Sequence, residues 1–197
     1  MKAQTVIFSA ATAVLACVIL IAGESDSKKT NESAFLSSSR QLTFAGKRSG
    51  EGYFSSDGSQ MIFQSERESG NPFYQIYLMD LETGDTNRVS PGFGKTTCAW
   101  IHPGGERILF ASSHSDPKAK EKQTIEIEER KSRRIRKYSW DYDENYEIWQ
   151  TSIDGSNPKN LTNSRGYDAE GSYSPDGKWI AFASNRQAYA KPLNKEQ

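Results

Sequence analysis

Three side chains that lie close together in the sequence can bind a transition metal or take part in nucleophilic catalysis: Cys98, His102 and His114. A nucleophilic serine needs a motif that pairs it with a base, and no Gly-x-Ser-x-Gly sequence is present. Both histidines occupy positions of an internal repeat, described below, where other residue types stand in the other copies. We therefore predict no catalytic residue and no metal site. Cys98 is interpreted as a small buried strand residue beside Trp100.

A second segment has oxygen-rich side chains at the spacing of a calcium loop. Residues 141–145 read Asp-Tyr-Asp-Glu-Asn, which is how such a loop begins. No glycine follows to make the sharp turn, and no glutamate stands at the twelfth position. We predict no calcium site and no cofactor of any kind.

The elements that must position these residues are copies of one unit, a turn followed by an apolar strand. The copies span residues 54–67, 101–114 and 173–186, so their starts are separated by 47 and 72 residues. The larger interval equals the smaller plus about 25 residues of a highly charged insertion. In this alignment His102 takes the place of Ser56 and Ser174, and His114 that of Arg67 and Arg186. The predicted turn residues are Asp57, Gly58, Pro103, Gly104, Gly105, Pro175, Asp176 and Gly177.

Two further elements keep the same spacing. An aromatic and isoleucine-containing strand occurs at residues 74–77 and again at 146–149, each followed by a glycine turn. A short closing strand ends each unit, at residues 40–43, 88–90 and 160–162. Repeats of 40 to 50 residues made of short strands and glycine turns are typical of propeller blades.

The Ser-Pro-Asp-Gly turn, the Ile-Tyr or Ile-Trp strand and the Leu-Thr closing strand resemble the WD40-like propeller repeat of the TolB family. The same repeat occurs in the propellers of prolyl-oligopeptidase-type peptidases. The resemblance covers residues 39–186 and implies an all-β fold, a partial β-propeller of about three four-stranded blades from a six-bladed ring. It implies little about activity, because this repeat serves proteins of unrelated function.

The N-terminus has the pattern of an export segment. No charge appears between Lys2 and Glu24, and residues 6–22 are almost wholly apolar. We interpret residues 1–23 as a cleaved signal peptide or as a retained membrane anchor, with lipidation at Cys17 as a third alternative. Residues 24–38 are polar and are predicted to form a flexible linker, and residues 187–197 a C-terminal tail.

Formal charge balances at zero, with 25 basic and 25 acidic side chains, so nucleic acid is not an expected partner. With Cys17 in the export segment, Cys98 has no partner for a disulfide. An exported chain without disulfides indicates a bacterial envelope, either the periplasm or the membrane surface. Contact with the membrane is expected only through the N-terminal segment.

The insertion, residues 115–143, admits two interpretations. Asp116-Pro117 and the pair Glu126 and Arg130 favour a helix, whereas residues 124–128 alternate in polarity like a strand of a hairpin. Loops lengthened in this way often carry binding specificity. Tyr138, Trp140 and Tyr142 are therefore predicted to form a surface that contacts a partner. The alternative is a solvent-exposed segment whose charged side chains pair with one another.

From these observations we expect a non-catalytic, exported binding or scaffold module that contacts protein partners in the cell envelope. The alternative is the propeller of an exported peptidase or other hydrolase whose catalytic domain is missing from this chain. Because about three blades do not close a ring, we expect the chain to be the N-terminal part of a longer propeller, or to self-associate.

Overall fold

The computed structural model describes residues 35–132, 141–192 and 194. The chain divides into two units, residues 1–40 and residues 41–197. The predicted export segment and residues 24–34 of the predicted linker lie outside the described residues. Among the residues that are described, no helix is long and apolar enough to cross a membrane.

The first sheet is a four-stranded antiparallel meander in the order β1-β2-β3-β4. Its strands are β1 (Arg48–Phe54), β2 (Gln60–Glu66), β3 (Gln75–Asp80) and β4 (Thr86–Arg88). β2 is buried from Met61 to Glu66 because both of its faces are covered, and its apolar residues Met61, Ile62 and Phe63 are consecutive. Sequential strands joined by short turns, with a buried second strand, are the expected pattern of a blade.

The second sheet repeats this meander and carries the insertion between its second and third strands. It contains β5 (Thr96–Ile101), β6 (Arg107–Ser112), β7 (Glu147–Ser152) and β8 (Lys159–Asn160), in that order. The helix α1 (Ala119–Lys131) lies between β6 and β7 in the chain. The helical interpretation of the insertion is therefore the one that the structure shows.

The third repeat has two strands among the described residues, β9 (Asp168–Tyr173) and β10 (Ile180–Ser184), which pair antiparallel. A short 3-10 helix, Arg186–Tyr189, follows β10. The all-β architecture is thus confirmed, whereas the predicted number of four-stranded blades is not confirmed. The described residues form two four-stranded sheets and one two-stranded sheet.

The closing strands are shorter than the repeat predicted. Residues 40–43 are not a strand, although Leu42 packs against the outer face of the first sheet. Residues 88–90 contribute only Arg88 to β4, and residues 160–162 only Asn160 to β8. Beyond these ends the backbone still bonds to the third strand, since the Val89 and Leu161 N–H groups donate to Ile76 and Ile148 carbonyls.

Alternate residues of the second strand in each four-stranded sheet pack into separate clusters on its two faces. Ile62 of the first sheet packs with Ile108 and Phe110 of the second, all almost fully buried. The other face of the second sheet, at Leu109 and Ala111, packs on β9 through Ala169 and Tyr173. The hydrophobic effect therefore holds the sheets side by side, since each face is covered by its neighbour.

The turns between first and second strands are closed identically in the three repeats. The backbone N–H groups of Ser55, His102 and Ser174 donate to the residue five positions later, at 2.8 to 2.9 Å. The histidine therefore corresponds to Ser55, and the alignment of His102 with Ser56 was wrong by one residue. The replacement has a physical reason: His102 Nδ1 accepts the Gly104 N–H at 3.0 Å.

The aspartate turns use a carboxylate for the same purpose. Asp57 accepts hydrogen bonds from the Ser55 hydroxyl at 2.6 Å and the Ser59 N–H at 3.0 Å, and these bonds lower its pKa to about 2. Asp176 accepts from the Ser174 hydroxyl in the same way. A serine and an aspartate two residues apart thus form a self-contained turn.

We expect Gly177→Ala to destabilise the protein more than Gly58→Ala. Both glycines have left-handed φ angles, +69° and +72°, so each substitution costs about 1 to 2 kcal/mol of backbone strain. A Cβ at Gly177 would also lie 2.4 Å from Nε2 of His102, whereas nothing lies within 4 Å of one at Gly58. The overlap adds at least about 1 kcal/mol. Urea unfolding of the two variants measures the difference; equal losses would contradict this packing of His102.

Candidate functional site

The first strand of every repeat is bulged at the same position, and the three bulges face one another. Glu51, Cys98 and Glu170 have left-handed φ angles of 48°, 51° and 57°. The pairing register of β1 and β5 with their second strands shifts across these residues, and a matching shift occurs between β9 and β10. Because the bulge turns each side chain out of the sheet, the three meet between the strands. We call Glu51, Cys98 and Glu170 the bulge cluster.

The thiol of Cys98 lies between the two carboxylates. Its Sγ is 3.1 Å from Glu51 Oε2 and 2.9 Å from Glu170 Oε2. The Tyr167 hydroxyl donates to the other Glu170 oxygen at 3.0 Å. Burial, followed by the hydrogen bond to Glu170, raises the pKa of the Cys98 thiol well above its usual range. The thiol is therefore a hydrogen-bond donor at neutral pH and not a nucleophile.

Beside the bulge cluster lies a groove of about 290 Å³. We call it the mouth groove and define it by Arg48, Tyr74, Lys95, Asp141, Tyr146 and Tyr167. Glu51 also lines it, so the groove leads to the bulge cluster. Its walls are tyrosines and its rim carries both charge signs.

The tyrosines of the mouth groove are ordered by ring contacts. Tyr167 stacks on Tyr142 with ring centres 5.6 Å apart, and its edge meets Tyr146 at 5.4 Å. The guanidinium of Arg48 lies 4.3 Å from the ring centre of Tyr74. The Tyr142 hydroxyl accepts a hydrogen bond from the Asn185 amide at 3.1 Å, and it also contacts the Tyr189 hydroxyl. Tyr142 is therefore held in place although it is exposed.

Helix α1 is attached by buried carboxylates more than by apolar contacts. Ala119 is the buried residue that the helix contributes. Arg130 reaches the buried Glu66 at 2.7 Å, where Arg48 also binds at 3.0 Å. Arg130 pairs with Glu126 within the helix at 2.6 Å, as the sequence predicted. The helix position is thus set by hydrogen-bonded ion pairs in specific geometry.

Residues 141–145, which were considered as a calcium loop, contribute two aspartates that form ion pairs with lysines. Asp141 pairs with Lys95 at 2.6 Å. Asp143, whose side chain is 2% exposed, pairs with Lys122 at 2.8 Å. Lys122 also binds Asp116 at 2.7 Å and so joins α1 to both flanking segments. Their carboxylate oxygens thus face ammonium groups.

We expect Lys122→Met to destabilise the protein by about 3 kcal/mol, because it leaves two buried carboxylates without their shared cation. Lys120→Met is the matched control on the exposed face of α1 and should change stability by less than about 0.5 kcal/mol. Free energies of unfolding from urea titration at pH 7 give the comparison. Similar values for the two variants would show that α1 does not depend on this ion pair.

Comparisons with known proteins agree with this architecture. No protein-family model matches the sequence. A curated relative, named uncharacterized peptidase YuxL of Bacillus subtilis, is 26% identical over 152 residues, which cover 73% of this chain and 23% of the relative. A structure described as TolB from Agrobacterium tumefaciens superposes with a TM-score of 0.51 and 23% identity, over 73% of this chain and 40% of that one.

This chain has the fold of a TolB-like β-propeller. A TolB structure from Acinetobacter baumannii is also similar, with a TM-score of 0.47, 23% identity and coverage of 71% of this chain and 27% of that one. The chain therefore spans less than half the length of each of these proteins.

One serine–histidine hydrogen bond in the TolB-like propeller has the geometry of a nucleophile and its base. Ser112 Oγ lies 2.9 Å from His114 Nδ1. Ser112 is fully buried, however, and the imidazole is packed against Trp149 with ring centres 4.2 Å apart. A substrate has no access to this hydroxyl, so the pair is part of the core.

We expect His114 to make the protein less stable as the pH falls. Burial lowers the pKa of His114 to about 4, below the ordinary value of 6.5. Between pH 6.5 and 4 the unfolded chain binds a proton that the folded chain does not, so this contribution to stability is lost on acidification. His114→Gln, which cannot titrate, should lose less stability between pH 7 and pH 5. Parallel losses in urea unfolding would contradict this role.

The predicted site residues fall into three groups. The eight turn residues lie in the turns between first and second strands, away from the mouth groove. Tyr142 stacks on the groove wall, and Tyr138 and Trp140 lie outside the described residues. Sequence reasoning missed Glu51 and Glu170, although they are separated from Cys98 by 47 and 72 residues, the repeat spacing itself.

Proposed function

We propose that this TolB-like propeller is a non-catalytic binding module that holds a polypeptide segment in the mouth groove. The observation that carries the proposal is the tyrosine wall formed by Tyr146 and Tyr167 beside Arg48, with Tyr142 stacked on Tyr167. Tyrosine and arginine are among the side chains enriched at protein interfaces, because they combine apolar area with hydrogen bonds. The positive and negative side chains of the rim, Arg48, Lys95 and Asp141, can form hydrogen bonds with the carbonyl and N–H groups of a peptide.

The insertion supports the same proposal. Helix α1 lies beside the groove, because Gln123 donates to the Gly70 carbonyl at 2.6 Å and accepts from the Gly94 N–H at 3.4 Å. Clefts of about 410 and 370 Å³ flank the helix, lined in part by Ile125 and Ile127. The larger cleft shares Lys95 and Asp141 with the mouth groove, so an extended partner can occupy both without a change of fold.

The resemblance to TolB and the apolar residues 6–22 support export, so we place the module in the cell envelope, in the periplasm or tethered by its N-terminal segment. Its partners are proteins of that compartment. Nucleic acid is not among them, since the chain has no net charge.

A second candidate is the propeller of an exported peptidase. It is favoured by the 26% identity to the relative named as peptidase YuxL, of which this chain covers 23%. The gene sequence after codon 197 separates the two candidates. Further propeller repeats followed by a stop favour the binding module, and a Gly-x-Ser-x-Gly motif with later aspartate and histidine favours the peptidase.

We expect peptides selected on the protein to lose affinity when Tyr142 is replaced. Random dodecapeptides are displayed and selected on the immobilised full chain, and the enriched peptides are measured by fluorescence anisotropy. Tyr142→Ser should weaken binding by about tenfold or more, because it removes the stacked ring. Replacing Tyr138, Trp140 and Tyr142 together by serine should weaken it further while the melting temperature changes little.

Two variants control this experiment. Tyr142→Phe keeps the ring and should retain most of the affinity. Trp179→Ser removes a strongly exposed aromatic side chain outside the groove and should bind as the wild type does. If no selected peptide depends on Tyr142, or if Trp179→Ser has the larger effect, the mouth groove is not the binding site.

A further inference from the structure

The bulge cluster brings three metal-ligating side chains together from three different strands. One ligand atom each from Glu51, Cys98 and Glu170 lies within 4.8 Å of the other two. Sequence reasoning grouped Cys98 with His102 and His114, but the structure gives it two carboxylate partners instead. Among the residues that the structure describes, this is the one group of three or more such side chains close enough to share an ion.

The bulge cluster has two carboxylates but only one hydrogen-bond donor of its own, the Cys98 thiol. A thiol has one hydrogen, so Cys98 can donate to Glu51 or to Glu170 but not to both. Within residues 35–132 and 141–192, no lysine, arginine or histidine forms an ion pair with either carboxylate. The buried carboxylates nearby, Glu66 and Asp143, both have such partners. The cluster is therefore complementary to a cation.

A cavity adjoins the bulge cluster at Cys98 and Glu170. It has a volume of about 240 Å³ and is lined by Tyr53, Cys98, Trp100 and Glu170 among others. This space is large enough for an ion with a bound water, which a site with three protein ligands needs for its fourth position. The cavity is thus an observation separate from the negative charge of Glu51 and Glu170.

We propose that Glu51, Cys98 and Glu170 bind one thiophilic divalent cation, of which Zn²⁺ is the representative. Zn²⁺ accepts sulfur at about 2.3 Å and carboxylate oxygen at about 2.0 to 2.2 Å in a tetrahedral set. Both glutamates are exposed, so their side chains can rotate towards a bound ion. Ca²⁺ and Mg²⁺ do not suit this site, because they prefer six or more oxygen ligands and do not favour a thiolate.

Binding has a defined proton balance. The Cys98 S–H bond breaks, its proton passes to the solvent, and a sulfur–metal bond forms with the electron pair left on sulfur. A cysteine thiol, with an ordinary pKa of about 8.5, keeps this proton at pH 7 when no ion is bound. One proton should therefore be released for each ion bound, and the measured binding enthalpy should depend on the ionisation enthalpy of the buffer.

The experiment uses the full chain without an affinity tag, titrated with Co²⁺ and with Zn²⁺. Co²⁺ should give a thiolate charge-transfer band that saturates at one equivalent, and calorimetry should give one Zn²⁺ site with release of one proton. Cys98→Ser should abolish the band, while Cys17→Ser should keep it. Glu51→Gln and Glu170→Gln should each weaken Zn²⁺ binding by at least about tenfold.

Glu82→Gln is the matched control, an exposed glutamate in the turn between β3 and β4. It should bind Zn²⁺ as the wild type does. Both glutamates of the cluster are exposed, so their variants should fold, and circular dichroism of each variant checks this. Absence of the Co²⁺ band in the wild type, or unchanged Zn²⁺ affinity in both glutamine variants, overturns the proposal. The proposal is independent of peptide binding, because its readouts require no peptide.

Discussion

The face-to-face packing of neighbouring sheets is the constraint on which the rest of this structure depends. Ile62 on one sheet and Ile108 and Phe110 on the next are covered only because the two sheets lie side by side. A single sheet of this composition would expose one apolar face to water. The same packing brings the first strands together, since β5 contacts both β1 and β9. The mouth groove and the bulge cluster are therefore consequences of how the core is covered.

The insertion is held by a different kind of interaction. Helix α1 buries little apolar surface, and its Ile125 is about half exposed. Its position depends on Arg130 and Lys122, which satisfy carboxylates that are nearly inaccessible to water. Such pairs contribute little net stability compared with apolar contacts, but they tolerate few alternative geometries. The helix is thus placed specifically beside the groove without enlarging the core.

Sequence spacing was sufficient to predict the turns, the second and third strands of the two four-stranded sheets and the all-β architecture, because glycine and aspartate turns recur with the blade. It was insufficient at the bulges, where Glu51 and Glu170 have left-handed φ angles that residue type does not reveal. The insertion remained ambiguous because residues 124–128 alternate in polarity while lying on a helix held by ion pairs. Short closing strands were overestimated, since their pairing with the third strand extends over only two or three residues.

The bulges also separate two roles that a strand usually combines. In β5, Ala99 and Ile101 face the core, whereas Cys98 points to the carboxylates of neighbouring repeats. A substitution at position 51, 98 or 170 thus changes the bulge cluster beside the groove, and none of these three residues belongs to the apolar clusters between the sheets. If such a protein grows by duplication of its repeats, each new copy brings one such position with it. The chemistry of the groove can then diverge one copy at a time, while the inherited scaffold stays the same.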